Sequence, residues 1–173
     1  MALKTDRILV LDLELTCGPE FKLDDREIIE IGLAVVDMKK RTIERNEGFF
    51  VKPDKTEVSE YCTHLTGITT QILKTQGHPL KEVLNTIKKT YSLSSSIWGA
   101  WGSDRDVIVR ECRDKEIEYP FNEDYFNFAY LLYSSMREEY PLIIHLNSYP
   151  YAFFLRLTYC TWHYVFFNTS PTT

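Results

Sequence analysis

Glycine and proline are scarce, seven each in 173 residues, which excludes collagen-like and low-complexity chains. The few glycines form no G-x-G-x-x-G and precede no P-loop lysine, so nucleotide-cofactor folds are excluded at the level of motif. The four cysteines, Cys17, Cys62, Cys112 and Cys160, stand 45, 50 and 48 residues apart. With no C-x-x-C pair there is no zinc ribbon, and thiols so dispersed do not make a disulfide scaffold. Positive charge is also short. Twenty Lys and Arg against 25 Asp and Glu leave a net charge of −5, which excludes a polybasic coat for nucleic acid or membrane. It leaves room for a site built from acids. The polar stretch Met1 to Arg7 has no apolar core of a signal peptide. We therefore expect reduced thiols and a cytoplasmic location.

Charge itself runs out along the chain. From Pro141 to Thr173 the sole charged side chain is Arg156, while the same 33 residues hold nine of the 24 aromatic residues. A helix facing water needs a charged outer face, and this segment cannot supply one. Nor does it reach the ~18 uninterrupted apolar residues of a membrane span. We divide the chain into a domain at 5–138 and an atypical aromatic, charge-poor tail at 139–173.

What is present reads as an α/β pattern. Ile8 to Glu14 is a short apolar run ending in acids, the mark of a buried strand. Ile28 to Val36 and Thr42 to Val51 read as two more strands, joined at the Lys39-Lys40-Arg41 turn, so the first three strands predict an antiparallel meander. Helices are expected at Ser59 to His64, from Thr69, from Pro79 to about Lys89, and at Asp104 to Lys115. Ser96 to Trp101 reads as a fourth strand, and Phe121 to Glu138 as mostly helical. Trp98 and Trp101 could stack on bases, with core packing expected for at least one.

Asp12 and Glu14 carry the strongest chemical signal. Strand positions i and i+2 share a face, so both carboxylates point one way while Leu11 and Leu13 pack opposite. Two acids at the end of an apolar strand repel each other and resist burial, and a divalent cation removes both penalties. Two-metal phosphodiester chemistry uses such a pair to hold its ions ~3.5–4 Å apart. Cys17 has acidic or neutral neighbours, which make it a poor nucleophile.

The segment Leu9-Val10-Leu11-Asp12-Leu13-Glu14-Leu15-Thr16-Cys17 resembles the first motif of the DEDDh 3′–5′ exonucleases. So does Glu27-Ile28-Ile29-Glu30-Ile31-Gly32 with its strand. Phe50-Val51-Lys52-Pro53 and Cys62-Thr63-His64-Leu65-Thr66-Gly67-Ile68-Thr69 resemble the linking region of that family. Trp98-Gly99-Ala100-Trp101-Gly102-Ser103-Asp104 resembles its second motif. The match is to the branch of RNA-type and KapD-like enzymes and covers roughly residues 5–138.

The resemblance implies a ribonuclease-H-like α/β fold: a mixed sheet of three antiparallel strands then parallel ones, with helices on both faces. It implies 3′–5′ hydrolysis of RNA or single-stranded nucleic acid, two Mg²⁺ or Mn²⁺ ions held by Asp12, Glu14 and Asp104, and no membrane partner. Leu15, Thr16, Leu65 and Thr66 fall where the family holds the 3′-terminal nucleotide. Asp106 competes with Asp104 for the second motif. The third motif, His-x4-Asp, is missing. No Asp follows Asp124, and the nearest pattern is His163 with Asn168. Its absence predicts very low activity and leaves two rival readings, a catalytically impaired nucleic-acid-binding relic and a protein-interaction module.

Overall fold

The structure, a computed structural model, describes residues 6–19 and 21–131. The chain divides into two units, residues 1–128 and 129–173. The first is built on a sheet of five strands, β1 (Arg7–Leu15), β2 (Ile28–Asp37), β3 (Thr42–Phe50), β4 (Trp98–Ala100) and β5 (Tyr125–Asn127). Their order across the sheet is β3-β2-β1-β4-β5. The first three pair antiparallel, and β4 runs parallel to both β1 and β5. This is the mixed α/β sheet that the sequence implied, with β1 at its centre.

Four helices join the strands: α1 (Glu60–Thr66), α2 (Thr70–Gln76), α3 (Leu80–Tyr91) and α4 (Asp104–Asp114). Each short helix begins on a capping hydroxyl. Ser59 Oγ accepts the Cys62 N–H at 3.0 Å and Thr69 Oγ1 accepts the Ile72 N–H at 3.1 Å. Cys62, Thr63 and His64 form the body of α1, with Cys62 buried. In α3, Leu80, Val83, Leu84 and Ile87 recur at helical spacing and are all buried, the stripe that docks an amphipathic helix.

Strand alternation sorts β1 as expected. Leu9, Leu11 and Leu13 join the main core with Ile31, Leu33, α3 and the inner face of α4. A second cluster gathers Cys17, Ile29, Cys62, Ile68 and Leu73 under α1 and α2. Phe49 packs on the first cluster and its neighbour Phe50 on the second, so helices cover both faces of the sheet. Trp98 is fully buried, with ring centroids 4.3 Å from Phe121 and 4.6 Å from Tyr125. Its indole N–H donates to the Asn122 carbonyl at 3.1 Å. It is a core residue and not a base-stacking platform.

One expectation needs correction. Phe121 to Glu138 was expected to be mostly helical, yet Tyr125–Asn127 forms β5 and helical structure starts only at Phe128. Residues 132–138 lie outside the described residues. Three residues carry too little periodicity to reveal a strand, and here pairing with β4 and packing on Trp98 override the local helical pattern.

Gly99 sits where β4 meets β5. A Cβ there would stand 2.7 Å from the Phe126 ring and 2.9 Å from the Phe126 carbonyl oxygen, and the carbonyl cannot swing away without breaking the strand pair. Gly99→Ala should therefore destabilise the fold by about 1–3 kcal/mol, measured by urea unfolding. An unchanged midpoint would show that β5 gives way freely.

Candidate functional site

The site forms where β4 stops short of β1. Leu9 donates its N–H to the Ile97 carbonyl at 2.9 Å, so alternate amides of β1 point toward β4. The pairing ends at Leu11↔Ala100, and two residues further on the Leu13 N–H has passed the end of β4. The Leu13 amide lies close enough to Asp12 and Asp104 to draw both carboxyls down.

Asp104 reaches that place because of the turn before α4. Gly102 has φ +58°, a left-handed conformation that suits glycine. Asn127 of β5 holds the turn from both sides. Its side-chain oxygen accepts the Gly102 N–H at 3.1 Å and its amide donates to the Gly102 carbonyl at 2.6 Å. Helix α4 then starts at Asp104, whose carboxylate also meets the positive end of the helix. Asp106, one residue beyond Arg105, is exposed. The structure thus brings Asp104, and not Asp106, to Asp12 and Glu14.

The electrostatics follow from this crowding. Burial pushes the Asp12 carboxyl up to about 6, against the Leu13 hydrogen bond that lowers it. Burial, with Asp12 and Glu14 facing it, holds Asp104 well above the usual carboxylate range. Glu30 lies opposite Glu14 in the β1–β2 register. It too is raised, by burial and then by Asp12, but its carboxyl oxygen lies over Gly48 of β3, one strand further from β1. Among the described residues, no three acidic, histidine or cysteine side chains are drawn up around a single point as a finished metal cage. The chemistry of the donor set still suits a hard divalent cation. Three carboxylates face one another, and charge on all of them is tolerable only beside a positive partner.

The segment after Glu14 is fixed from several sides. Thr16 is fully buried. Its N–H donates to the Glu27 carbonyl at 2.8 Å, and its Oγ1 accepts the Glu27 N–H at 2.9 Å. Ser59 Oγ donates to the Cys17 carbonyl at 2.5 Å, and the Cys62 thiol to the Leu15 carbonyl at 3.4 Å. These bonds tie the start of α1 to the residues following the acids. One turn on, Leu65 is 43% exposed. The Thr66 hydroxyl is engaged within its own turn, donating to Cys62 O at 2.9 Å and accepting the Ile68 N–H at 3.0 Å. Of the four expected nucleotide contacts, Leu65 alone is exposed. Burial and the Cys62 thiol push the Cys17 thiol up to about 12, which agrees with its reading as a poor nucleophile.

Sequence reasoning gave no role to Asn127, Glu27 or Lys115, all of which fix the site's frame. Asn127 lay inside a segment read as helical, and a lone Lys in a helix's last turn carries no signal. The alternation of β2 could have found Glu30. His163 and Asn168 lie outside the described residues.

Comparison with known proteins adds an independent line. A family model described as Exonuclease, RNase_T, matches residues 9–152. The human protein named 3'-5' exoribonuclease 1 is 30% identical over 128 residues, which is 66% of this chain and 36% of that one. A Xenopus laevis protein named ERI1 exoribonuclease 2 is 33% identical over 139 residues, 65% of this chain and 20% of the relative. The chain therefore spans about a third and a fifth of the length of these two relatives. The nuclease domain of 3'hExo, a DEDDh family member solved with rAMP bound, superposes with a TM-score of 0.58 at 26% identity, covering 68% of this chain and 63% of that one.

A carboxyl whose pKa rises on folding stabilises the fold while neutral, and that contribution fades as pH climbs from about 4 through about 6. Without metal, the double variant D12N/E14Q should thus be more stable than the wild type above pH 6, by up to about 3 kcal/mol from Asp12 alone. The gap should close toward pH 4. Equal metal-free stability at pH 7.5 would show that the carboxylates carry no such strain.

Proposed function

The chain belongs to the RNase_T exonuclease family, in its DEDDh 3′–5′ type, and from that premise we propose that Asp12, Glu14 and Asp104 form a divalent metal centre acting on the 3′ end of RNA or single-stranded nucleic acid. One observation carries the reading: Asp104 arrives from a different element, at the start of α4, to face Asp12 and Glu14 of β1. The two motifs thereby meet at the end of β1, on acids that are half-buried.

The residues divide the work by position. Asp12 and Glu14, on one face of β1, would hold two Mg²⁺ or Mn²⁺ ions, and Asp104 would close the set from the start of α4. Bound there, the ions would supply Lewis-acid activation of water and charge stabilisation at the phosphate. Leu65 offers apolar contact to the terminal nucleoside. Leu15, Thr16 and Thr66, their polar groups largely engaged within the fold, shape the floor beneath it. We assign the exonuclease domain to residues 5–138, with 139–173 as an atypical tail.

The general base is the missing part. His-x4-Asp does not occur after Asp104, and a positioned base contributes about 10²–10⁴-fold. That observation favours the second reading, a catalytically impaired binder of nucleic acid, as the working state of this sequence.

A Mn²⁺ assay on 3′-labelled single-stranded RNA tests both readings. Mononucleotide release should be slower by about 10²–10⁴-fold than in a family member with the full third motif. Asp12→Asn should abolish it, and His163→Ala should leave it unchanged. Asp104→Asn should also weaken Mn²⁺-induced thermal stabilisation more than Asp106→Asn does. Brisk digestion that disappears in His163→Ala would instead make His163 and Asn168 the third motif. A wild-type melting curve indifferent to millimolar Mn²⁺ would remove the metal centre.

A further inference from the structure

The far end of α4 carries an ion network that the proposed chemistry does not use. The Lys115 ammonium, at the C-cap of α4, stands 3.0 Å from Glu27 Oε1, 3.2 Å from Glu111 Oε2 and 2.5 Å from Asp54 Oδ2. Glu27 and Glu111 are nearly as buried as the core, at 5% exposure each. The Glu27 carboxylate also accepts the N–H groups of Asp54, Lys55 and Thr56 at 2.9, 2.9 and 2.7 Å, and the Thr56 hydroxyl at 2.8 Å. Arg110, one turn earlier on α4, donates to the Arg26 carbonyl. Five donors fill the acceptor sites of this one buried carboxylate.

Its placement gives it a purpose. Glu27 grips Thr16 through both its backbone N–H and its carbonyl, and Thr16 lies two residues beyond Glu14 on the same run of chain. Helix α4, about 16 Å long at 1.5 Å per residue, carries Asp104 at one end and Lys115 at the other. The links close a circuit: Asp104, α4, Lys115, Glu27, Thr16, Glu14. The links are continuous helix, a buried ion pair, backbone hydrogen bonds and, from Thr16 to Glu14, two residues of chain.

We propose that Lys115 is a positioning residue for the metal centre, fixing the separation of Glu14 and Asp104 by clamping α4 to Glu27. This rests on the metal-centre reading above. Three carboxylates repel and would spread apart without a cation. A clamp that resists the spreading keeps the ligands spaced for a cation before one arrives, which reduces the reorganisation that binding must otherwise supply.

Calorimetric Mn²⁺ titration of the full chain tests it, with melting temperatures recorded alongside. Lys115→Met should weaken Mn²⁺ binding by about 10–100-fold, the usual cost of losing a residue that orients metal ligands. Lys115→Arg, which keeps the cation, should retain most of the affinity. Ile87→Val, a buried change in α3 away from the circuit, should lower the melting temperature and leave Mn²⁺ affinity alone. That separates positioning from general loss of stability. If Lys115→Met does not fold, Asp54→Asn alters only an exposed arm of the clamp and should still weaken Mn²⁺ binding measurably. Wild-type Mn²⁺ affinity in a folded Lys115→Met, or in Asp54→Asn where Lys115→Met fails to fold, overturns the role of Lys115 and leaves the metal centre standing. A wild-type chain that binds no Mn²⁺ overturns both.

Discussion

Repulsion among Asp12, Glu14 and Asp104 is the constraint around which the rest of this unit is arranged. Two of the acids come from alternate positions of the central strand, and the third starts a helix that crosses to meet them. The Leu13 amide, beyond the end of β4, draws the carboxyls of Asp12 and Asp104 down only in part. One amide offsets little of the cost of burying three carboxylates. The Asp12 carboxyl responds by moving up to about 6, and Asp104 moves in the same direction. Carboxyls raised in this way give up whatever protons they hold when a divalent cation takes their place.

Glu27 shows the opposite balance a short distance along the chain. Burial alone would raise its carboxyl too, but three backbone N–H groups, a hydroxyl and the Lys115 ammonium bring it down to about 2. Its contribution to stability is present above about 4.5 and fades only as pH falls toward 2. The two environments explain how one small unit keeps a strained cluster. Strain at the acids sits beside a scaffold in which Glu27 and Lys115 are paired with each other. The Asn127 brace on Gly102 and the Ser59 and Cys62 bonds to the chain after Glu14 do the same work with neutral groups.

Much of this was legible in the sequence, for reasons that can be named. Asp12 and Glu14 stand on a strand of strong period-two pattern, so their shared face follows from the alternation. The meander of β1, β2 and β3 follows from apolar runs separated by a short charged turn, and the helices from caps such as Ser59 and from the stripe in α3. Other features were hidden because they depend on distant partners. β5 is three residues long and exists because β4 and Trp98 are beside it. Asp104, already favoured over Asp106 by the resemblance, owes its position to the Gly102 turn and its Asn127 brace, which no local pattern reveals. Glu27 and Lys115 are 88 residues apart, and nothing local marks either as part of a clamp.

The central claim is that the three carboxylates form a cation site whose protons leave when metal arrives. Calorimetric titration of Mn²⁺ at pH 6, repeated in two buffers of different ionisation enthalpy, counts those protons. The account predicts net proton release by the wild-type chain, shrinking by pH 8 as Asp12 loses its proton beforehand, and a clear reduction in Asp12→Asn. Mn²⁺ binding without proton release at pH 6, or release undiminished in Asp12→Asn, would contradict it.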